Sequence, residues 1–180
     1  MLDYVPHYLT YTDKPVKSDA IVLFVGPDYK TRQDGAEHLL AEGYARFLII
    51  PAFETVTEVS SASYRTGIKK ANPRQVIIRL KTKAYHENTH VEVIEAKRIM
   101  EQYGLKSAIF VSSPDHMCRI KIITEKVFDK SETRIAFVPT RAVPVYHGLL
   151  NQTLSDFESM GRECIKIAWF LIYSTFQPQT

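Results

Sequence analysis

The chain is poor in glycine, cysteine and tryptophan, which number 7, 2 and 1 among its 180 residues. So little glycine excludes collagen-like and glycine-rich low-complexity classes. Cys118 and Cys164 have neither zinc-ligand spacing nor a Cys-x-x-Cys arrangement, so we expect two buried, reduced thiols in a cytoplasmic protein. Neither sign of charge dominates, since 23 basic and 20 acidic residues leave a formal net charge of +3. This balance argues against a nucleic-acid-binding protein, which needs a clustered basic face.

Long hydrophobic runs are also missing. Residues 1–6 have neither the basic nor the apolar part of a signal peptide. The most apolar stretch, residues 164–173, is about half the length of a membrane span and contains Lys166. We therefore predict no membrane span and a terminal helix that packs on the core or on a second subunit. A membrane-surface anchor is the alternative interpretation of this helix.

Short apolar runs alternate with helix-like periodicity along the chain. The predicted strands are residues 19–25, 46–50, 75–79, 107–111 and 133–138. The predicted helices are residues 31–42, 54–70, 88–103, 114–128 and 154–176. This order is typical of an α/β protein, a three-layer αβα sandwich with a mostly parallel, Rossmann-like sheet of about five strands. We expect a single domain over residues 1–180, with its ligand beyond the carboxyl ends of the strands.

The segment from Ser112 to Arg119 carries the most chemistry. It follows a predicted strand and opens a helix, so its backbone N–H groups and the hydroxyls of Ser112 and Ser113 can bind an anion. His116 and Arg119 are three residues apart and share a helix face. The spacing leaves an alternative equally open, a serine N-cap followed by a surface histidine and a surface arginine.

The start of the third predicted helix has a simpler explanation. Thr89 and Glu92 have the spacing of a capping box, with Asn88 or Thr89 as the N-cap. His86 and His90 are four residues apart, but they span the helix start and lack the His-Glu-x-x-His order. We predict no metal site here.

The loop after the first strand contains Gly26 and, in the next helical turn, Arg32. A dinucleotide-binding fold usually has Gly-x-Gly-x-x-Gly at this place, so a single glycine argues against an ordinary NAD site. Arg32 is a candidate to bind an anion at the strand ends. A solvated surface arginine is the alternative.

Four motifs, taken in order, resemble the YdcF-like family of Rossmann-like domains, which includes the envelope proteins ElyC and SanA. They are the strand at 19–26 followed by Arg32-x-x-x-Ala-x-x-Leu-x-x-x-Gly43, then Asn88-Thr-x-x-Glu92, Ser112-Ser-Pro-Asp-His-Met-x-Arg119 and Arg162-Glu-x-x-Lys166. The resemblance covers residues 19 to about 170. The family's glycine clusters after the first two strands are replaced here by Gly-Pro-Asp at 26–28 and Pro-Ala-Phe at 51–53. Fewer glycines leave less room for a phosphate against the backbone.

The resemblance implies a Rossmann-like fold and ligands of the nucleotide type, such as S-adenosylmethionine, with a link to cell-envelope glycan metabolism. The envelope branch has transmembrane anchors, which we do not expect in this chain, so the soluble, YdcF-like branch is the better match. The site that the resemblance implies is lined by Arg32, Asn88, Thr89, Glu92, His116 and Arg119.

Three functions are consistent with these residues. The first is an enzyme of small anionic, phosphorylated or nucleotide-like substrates, in which His116 is the general acid or base and Glu92 orients it or is a second base. Its ligand-binding residues are Gly26, Arg32, Asn88, Thr89, Ser112, Ser113 and Arg119. The second is a module that binds a nucleotide or S-adenosylmethionine without transforming it. The third is a structural partner in a homodimer formed through the C-terminal helix and its aromatic residues Trp169, Phe170, Tyr173 and Phe176.

Overall fold

The structure is a computed structural model that describes residues 11–58, 88–129, 132–140 and 154–175. In these residues the strands are β1 (Ala20–Leu23), β2 (Phe47–Ile50), β3 (Thr55–Glu58), β4 (Ser107–Ser112) and β5 (Arg134–Pro139). The helices are α1 (Tyr29–Ala41), α2 (Asn88–Gln102), α3 (Pro114–Val127) and α4 (Leu154–Thr175), and a 3-10 turn spans Pro51–Phe53.

The strands form one sheet in the order β3-β2-β1-β4-β5. Strand β1 pairs in parallel with β2 on one side and with β4 on the other, β4 pairs in parallel with β5, and β2 pairs with β3 in antiparallel fashion. The strands that follow β1 in the chain, β2 and β3, lie on one side of it, and the later strands β4 and β5 lie on the other side. The strand order therefore reverses between β1 and β4, where a doubly wound sheet opens a crevice at its carboxyl edge.

Both faces of the sheet are covered, which explains why β1 and β4 are apolar at nearly every position. All residues of these two strands are buried. On one face, Ile21 and Leu23 pack against Ala36 and Leu39 of α1. On the other face, the core cluster contains the opposite side of β1 together with side chains of α2, α3 and the end of α4. The molecule is thus an α/β three-layer sandwich with a mostly parallel sheet, as predicted.

One predicted helix is wrong in its first turn. Residues 54–70 were expected to be helical, but Thr55–Glu58 form strand β3 beside β2. The 3-10 turn at Pro51–Phe53 and a left-handed Glu54, with φ of 51°, reverse the chain between the two strands. Threonine and valine at 55–57 are β-branched and fit an edge strand better than a helix. Residues 59–70 and the predicted strand at 75–79 lie outside the described residues.

Glycines end α1 and α2, as the sequence predicts. Gly43 and Gly104 have φ of +76° and +66°, in the left-handed region where a side chain is strained. In each case the following residue donates its N–H back to the helix, Tyr44 to Leu39 and Leu105 to Met100. The periodicity of α2 predicts that Val93, Ala96, Met100 and Tyr103 share one apolar face, but Tyr103 is half-exposed and the buried stripe ends at Met100.

The two cysteines differ in environment. Both thiols are free, and Cys118 is buried whereas Cys164 is exposed, so the prediction of two buried thiols is wrong for Cys164. Cys164 lies on the outer side of α4. Burial raises the pKa of the Cys118 thiol, which keeps this thiol protonated and unreactive. Among the described helices, none combines the length and the apolarity that a membrane crossing requires.

Candidate functional site

A cavity of about 610 Å³ opens at the carboxyl edge of the sheet, between the ends of β1 and β4. Three helices begin around it, because the loop before α1, the first turn of α2 and the start of α3 all contribute to its wall. Helix N-termini carry partial positive charge, so this arrangement favours a negatively charged ligand. The lining residues are Phe24, Val25, Gly26, Pro27, Arg32, Asn88, Thr89, Glu92, Ser112, His116, Arg119, Ile120 and Lys166.

Arg32 ties together the two loops that border the cavity. Its Nη1 donates to the carbonyl oxygens of Phe24 and Val25 at 3.3 and 3.1 Å, and its Nη2 donates to Ser113 Oγ at 2.7 Å. Its Nε lies 2.7 Å from a carboxylate oxygen of Asp28. Burial lowers the pKa of Arg32, and the charge of Asp28 opposes this effect. The alternative of a solvated surface arginine is therefore wrong, and most donors of this guanidinium serve protein groups.

Gly26 makes room for this guanidinium. A Cβ atom at position 26 would lie 2.5 Å from Cζ and from Nη2 of Arg32. The arginine side chain is fully buried and bonded to both loops, so a shift away from this Cβ would break those hydrogen bonds. The close approach of the Arg32 guanidinium therefore explains why residue 26 is a glycine. A phosphate bound against the backbone is not needed to explain it.

Ser113 and Ser112 have different roles at the start of α3. Ser113 occupies the N-cap position, but its hydroxyl makes no capping bond and accepts the hydrogen bond from Arg32. Ser112 ends β4 and is fully buried. Its Oγ has no hydrogen-bond partner among the described residues, although the residue lines the cavity. Buried hydroxyls are nearly always satisfied, so Ser112 is a natural point of contact for a ligand or a bound water.

Arg119 and Glu163 form the centre of the site. Arg119 Nε donates to Glu163 Oε2 at 2.6 Å, and Nη2 of the same guanidinium lies 3.4 Å from Glu163 Oε1. Arg119 Nη1 also donates to the hydroxyl of Thr89 in the first turn of α2. Both charged side chains are buried. Arg119 is therefore not a surface residue, and its contacts join α2, α3 and α4 at one point.

Glu163 is ionised despite its burial. Desolvation alone would raise the pKa of this carboxyl, but the hydrogen bond with His116 and the charge of Arg119 outweigh it and lower the pKa to about 2. Lys166 adds a third contact, since its Nζ donates to Glu163 Oε1 at 3.0 Å. The carboxylate stays negative at every pH near neutrality.

His116 faces the cavity with a defined orientation. Its Nδ1 lies 3.3 Å from Glu163 Oε2, 3.4 Å from Arg119 Nη2 and 3.7 Å from Asp115 Oδ2. The neighbouring carboxylates favour a proton on Nδ1, which leaves Nε2 as the nitrogen that can exchange a proton with a ligand. An imidazole held by a carboxylate is the usual arrangement of a general acid or base. The carboxylate that holds Nδ1 belongs to Glu163, whereas the sequence suggested Glu92 for this role.

The first turn of α2 contributes contacts between elements. Helix α2 begins at Asn88, so Thr89 lies inside its first turn, and the Thr89 hydroxyl accepts the bond from Arg119. Glu92 is buried, and its Oε2 accepts the N–H of Val25 at 3.0 Å. The capping-box explanation is thus wrong for Thr89 and Glu92, whose side chains bind other parts of the fold. Asn88 lines the mouth of the cavity and is exposed.

The structure brings most predicted site residues to one place. Of the nine residues expected at the site, Ser113 alone is not part of the cavity wall, and it supports the wall through Arg32. Sequence reasoning noticed Glu163 and Lys166 only as part of a motif and gave them no role. The signal that was available is Lys166 inside the most apolar stretch of the terminal helix, with Glu163 three residues before it.

His90 belongs to the core. It is buried, its Nδ1 lies 3.0 Å from Tyr173 Oη, and its ring packs edge-on against Phe170 at 5.1 Å between ring centres. His86 lies outside the described residues. Within the part of the chain that the structure describes, no three His, Cys, Asp or Glu side chains are grouped as metal ligands.

Scans of this chain against protein-family models, curated proteins and solved structures find no match.

Proposed function

We propose that this protein is an enzyme that acts on a small anionic molecule, phosphorylated or nucleotide-like, bound in the cavity between β1 and β4. One observation carries the proposal. A histidine oriented by a buried carboxylate faces a cavity that also contains a buried arginine and an unpartnered serine hydroxyl. A positioned acid or base, a cationic group and a free hydrogen-bond donor are the parts that proton transfer on a bound anion requires.

Each residue has a role in this proposal. His116 exchanges a proton with the substrate through Nε2, and Glu163 holds the ring through Nδ1. Arg119 and the start of α3 at Ser112 stabilise negative charge. Glu92 also lines the cavity and is a second carboxylate, which can accept a proton or a hydrogen bond from a substrate hydroxyl. Arg32 and Gly26 shape the cavity from behind.

Support for an anionic ligand is physical. Three helix starts surround the cavity, and Glu163 shares its single negative charge between Arg119 and Lys166. Nucleotides, sugar phosphates and S-adenosylmethionine are all of a size to enter about 610 Å³. We include membership of the YdcF-like family in the proposal, because the four motifs that carry the resemblance supply residues of the cavity. A cytoplasmic location is also part of the proposal.

The test pairs binding with turnover. Purified protein is screened by its melting temperature against inorganic phosphate, AMP, glucose 6-phosphate and S-adenosylmethionine. A ligand at a hundred times its dissociation constant stabilises the fold by about 2.7 kcal/mol. Each ligand that binds is then incubated with the protein and followed by NMR. We expect chemical change in the wild type and a loss of at least about a hundredfold in rate in His116→Gln, with binding retained.

His38→Gln is the matched control, because His38 is a half-exposed histidine of α1 that pairs with Glu42. It should keep both binding and turnover. A ligand that binds tightly and stays unchanged would overturn the enzyme and favour the alternative, a module that holds a nucleotide or S-adenosylmethionine. A rate in His116→Gln within about tenfold of the wild type would remove His116 from the chemistry.

We also propose a homodimer formed through α4. Phe170 and Tyr173 of the predicted aromatic patch are buried in the core, whereas Trp169 is half-exposed and Phe176 lies outside the described residues. The outer side of α4 exposes further apolar side chains, namely Ile165, Leu171 and Ile172. An exposed apolar patch of this kind is typical of an interface. Light scattering on the wild type and on Ile165→Glu should show a dimer and a monomer respectively, and a wild-type monomer contradicts the proposal.

A further inference from the structure

Lys166 differs from the other cations of the site, Arg32 and Arg119, in being half-exposed. Arg119 is buried and is bonded to Thr89 on α2 as well as to Glu163. Lys166 is bonded to Glu163 one helical turn away, and 43% of its side chain is exposed. Its ammonium is a compact charge on a flexible stem, and it stands at the wall of the cavity. A solvent-exposed ion pair between residues three apart on a helix is weak, so the lysine can leave it when a stronger anionic partner binds.

Glu163 is shared between two cationic side chains. One carboxylate serves the guanidinium of Arg119 and the ammonium of Lys166, so the trio carries one positive charge in excess. The surplus does not depend on His116, whose Nδ1 also has Asp115 within 3.7 Å. Of the other charges nearby, Asp28 is paired with Arg32, and the carboxylates of Asp115 and Glu92 also interact with that guanidinium. If the ammonium leaves Glu163, the carboxylate is still paired, because Arg119 Nε donates to Glu163 Oε2 at 2.6 Å.

We propose that Lys166 is an anion-binding arm, delivered to the site by the terminal helix, that leaves Glu163 to bind a phosphate monoester of the ligand. This inference rests on the proposed function and names its substrate class. The monoester group would bind where Lys166, Arg119 and the unpartnered Ser112 hydroxyl border the cavity. A monoester carries nearly two negative charges at neutral pH and matches two cationic side chains, whereas a diester carries one.

The rest of the ligand has a defined direction. Glu92 lines the same cavity and is held by the N–H of Val25 at the β1 side. A carboxylate there repels a phosphate and accepts hydrogen bonds from hydroxyls. In this proposal the phosphate of the ligand lies toward α3 and α4, and a hydroxyl-bearing part lies toward α2 and β1.

The experiment compares methyl phosphate with dimethyl phosphate, two probes of nearly equal size that differ in charge. Affinities are measured by calorimetry at pH 7.5 and low salt on the full chain. We expect the wild type to bind methyl phosphate at least about tenfold more tightly than dimethyl phosphate. Lys166→Met should abolish this preference, and Lys166→Arg should restore much of it because the charge returns.

Lys121→Met is the control, because Lys121 forms an i,i+4 pair with Glu125 on α3 and does not line this cavity. It should bind both probes as the wild type does. If Lys166→Met keeps the wild-type preference, the inference is wrong while the anion site stands. If the wild type binds neither probe, the proposed anionic substrate is wrong and the inference falls with it. Circular dichroism confirms that each variant is folded.

Discussion

Arg119 Nε donates to Glu163 Oε2 at 2.6 Å, and this contact joins residues 44 positions apart on two different helices. Both side chains are almost fully buried, at 5% and 3% exposure. A buried ion pair gains little net stability from its charges, but removing one partner leaves the other charged and unpaired. The main role of the pair is therefore to fix α3 and α4 relative to each other and to orient His116, which contacts both side chains.

Breaking this pair should be costly and non-additive. Arg119→Met and Glu163→Leu are each expected to lose about 3 kcal/mol of unfolding free energy, because each leaves the remaining charged side chain buried and without its partner. The double variant should be more stable than the sum of the two losses predicts, by at least about 1 kcal/mol. Urea unfolding of the wild type, the two single variants and the double variant gives the four unfolding free energies for this comparison. Strict additivity would show that the two side chains do not interact in solution.

The low pKa of Glu163 makes stability depend on pH in one direction. The folded pKa of about 2 lies below the ordinary value of 4.5, so ionised Glu163 stabilises the fold above pH 4.5. This contribution, on the order of 3 kcal/mol, is lost as the pH falls from 4.5 toward 2. Glu163→Gln should therefore be less stable than the wild type at pH 6, and the difference should shrink by pH 3.

Glu158→Gln serves as the control for this titration. Glu158 lies on the same helix, is exposed and pairs with Arg162. Its replacement should change stability little, and by the same amount at pH 6 and at pH 3. A gap between the wild type and Glu163→Gln that does not change with pH would mean that Glu163 is not held ionised by its neighbours.

Gly26→Ala should disturb the site through Arg32. The new Cβ would lie 2.5 Å from the guanidinium carbon, so the arginine must give up its bonds to Val25 and Ser113. We expect a loss of about 1–3 kcal/mol, as for other overpacked positions. Gly161→Ala is the matched control, because nothing lies within 4 Å of its added Cβ and the residue is inside α4. That variant should be as stable as the wild type or more stable, by up to about 1 kcal/mol.

The buried hydrogen bond between His90 and Tyr173 should contribute to stability and not to ligand binding. Tyr173→Phe removes the hydrogen bond to His90 Nδ1 and should cost about 1 kcal/mol of unfolding free energy. Because His90 packs in the core, methyl phosphate affinity should stay unchanged. Tyr103→Phe, at a half-exposed tyrosine, should leave both quantities as they are. A loss of phosphate affinity in Tyr173→Phe would place His90 in the site and contradict this assignment.

Local features of the fold were predictable because they depend on neighbouring residues. Continuous apolar runs identified β1, β2, β4 and β5, and helix α3 begins at Pro114 as expected. The prediction failed at Thr55–Glu58, where helical periodicity and β-branched composition compete and the neighbouring strand β2 decides. The predicted strand at 75–79 stays a prediction. So does the absence of nucleic-acid binding, because the basic residues that lie close together in the sequence, Lys69, Lys70 and Arg74 and then Lys81 and Lys83, are outside the described residues.

The residue types of the site were also predictable, but their partners were not. The sequence placed His116 and Arg119 on one helix face beside a strand end, and the structure places both at the cavity. It assigned Glu92 to His116, whereas Glu163 from the terminal helix holds Nδ1. It treated Arg32 as a free cation, and Arg32 bonds the two loops. Spacing along one element reveals shared faces, but it carries no information about which distant side chain packs against that face.

The α/β class, the ends of α1 and α2 at Gly43 and Gly104, and the chemically rich segment at residues 112–119 could all be predicted from the order of the amino acids. These depend on backbone φ, side-chain periodicity and composition, which act over a few residues. Only the tertiary structure decided the strand order, the reversal between β1 and β4, and the meeting of Arg119, His116 and Lys166 on Glu163. Those depend on how buried surfaces fit one another, and burial also decides which charges are paired and which remain available to a ligand.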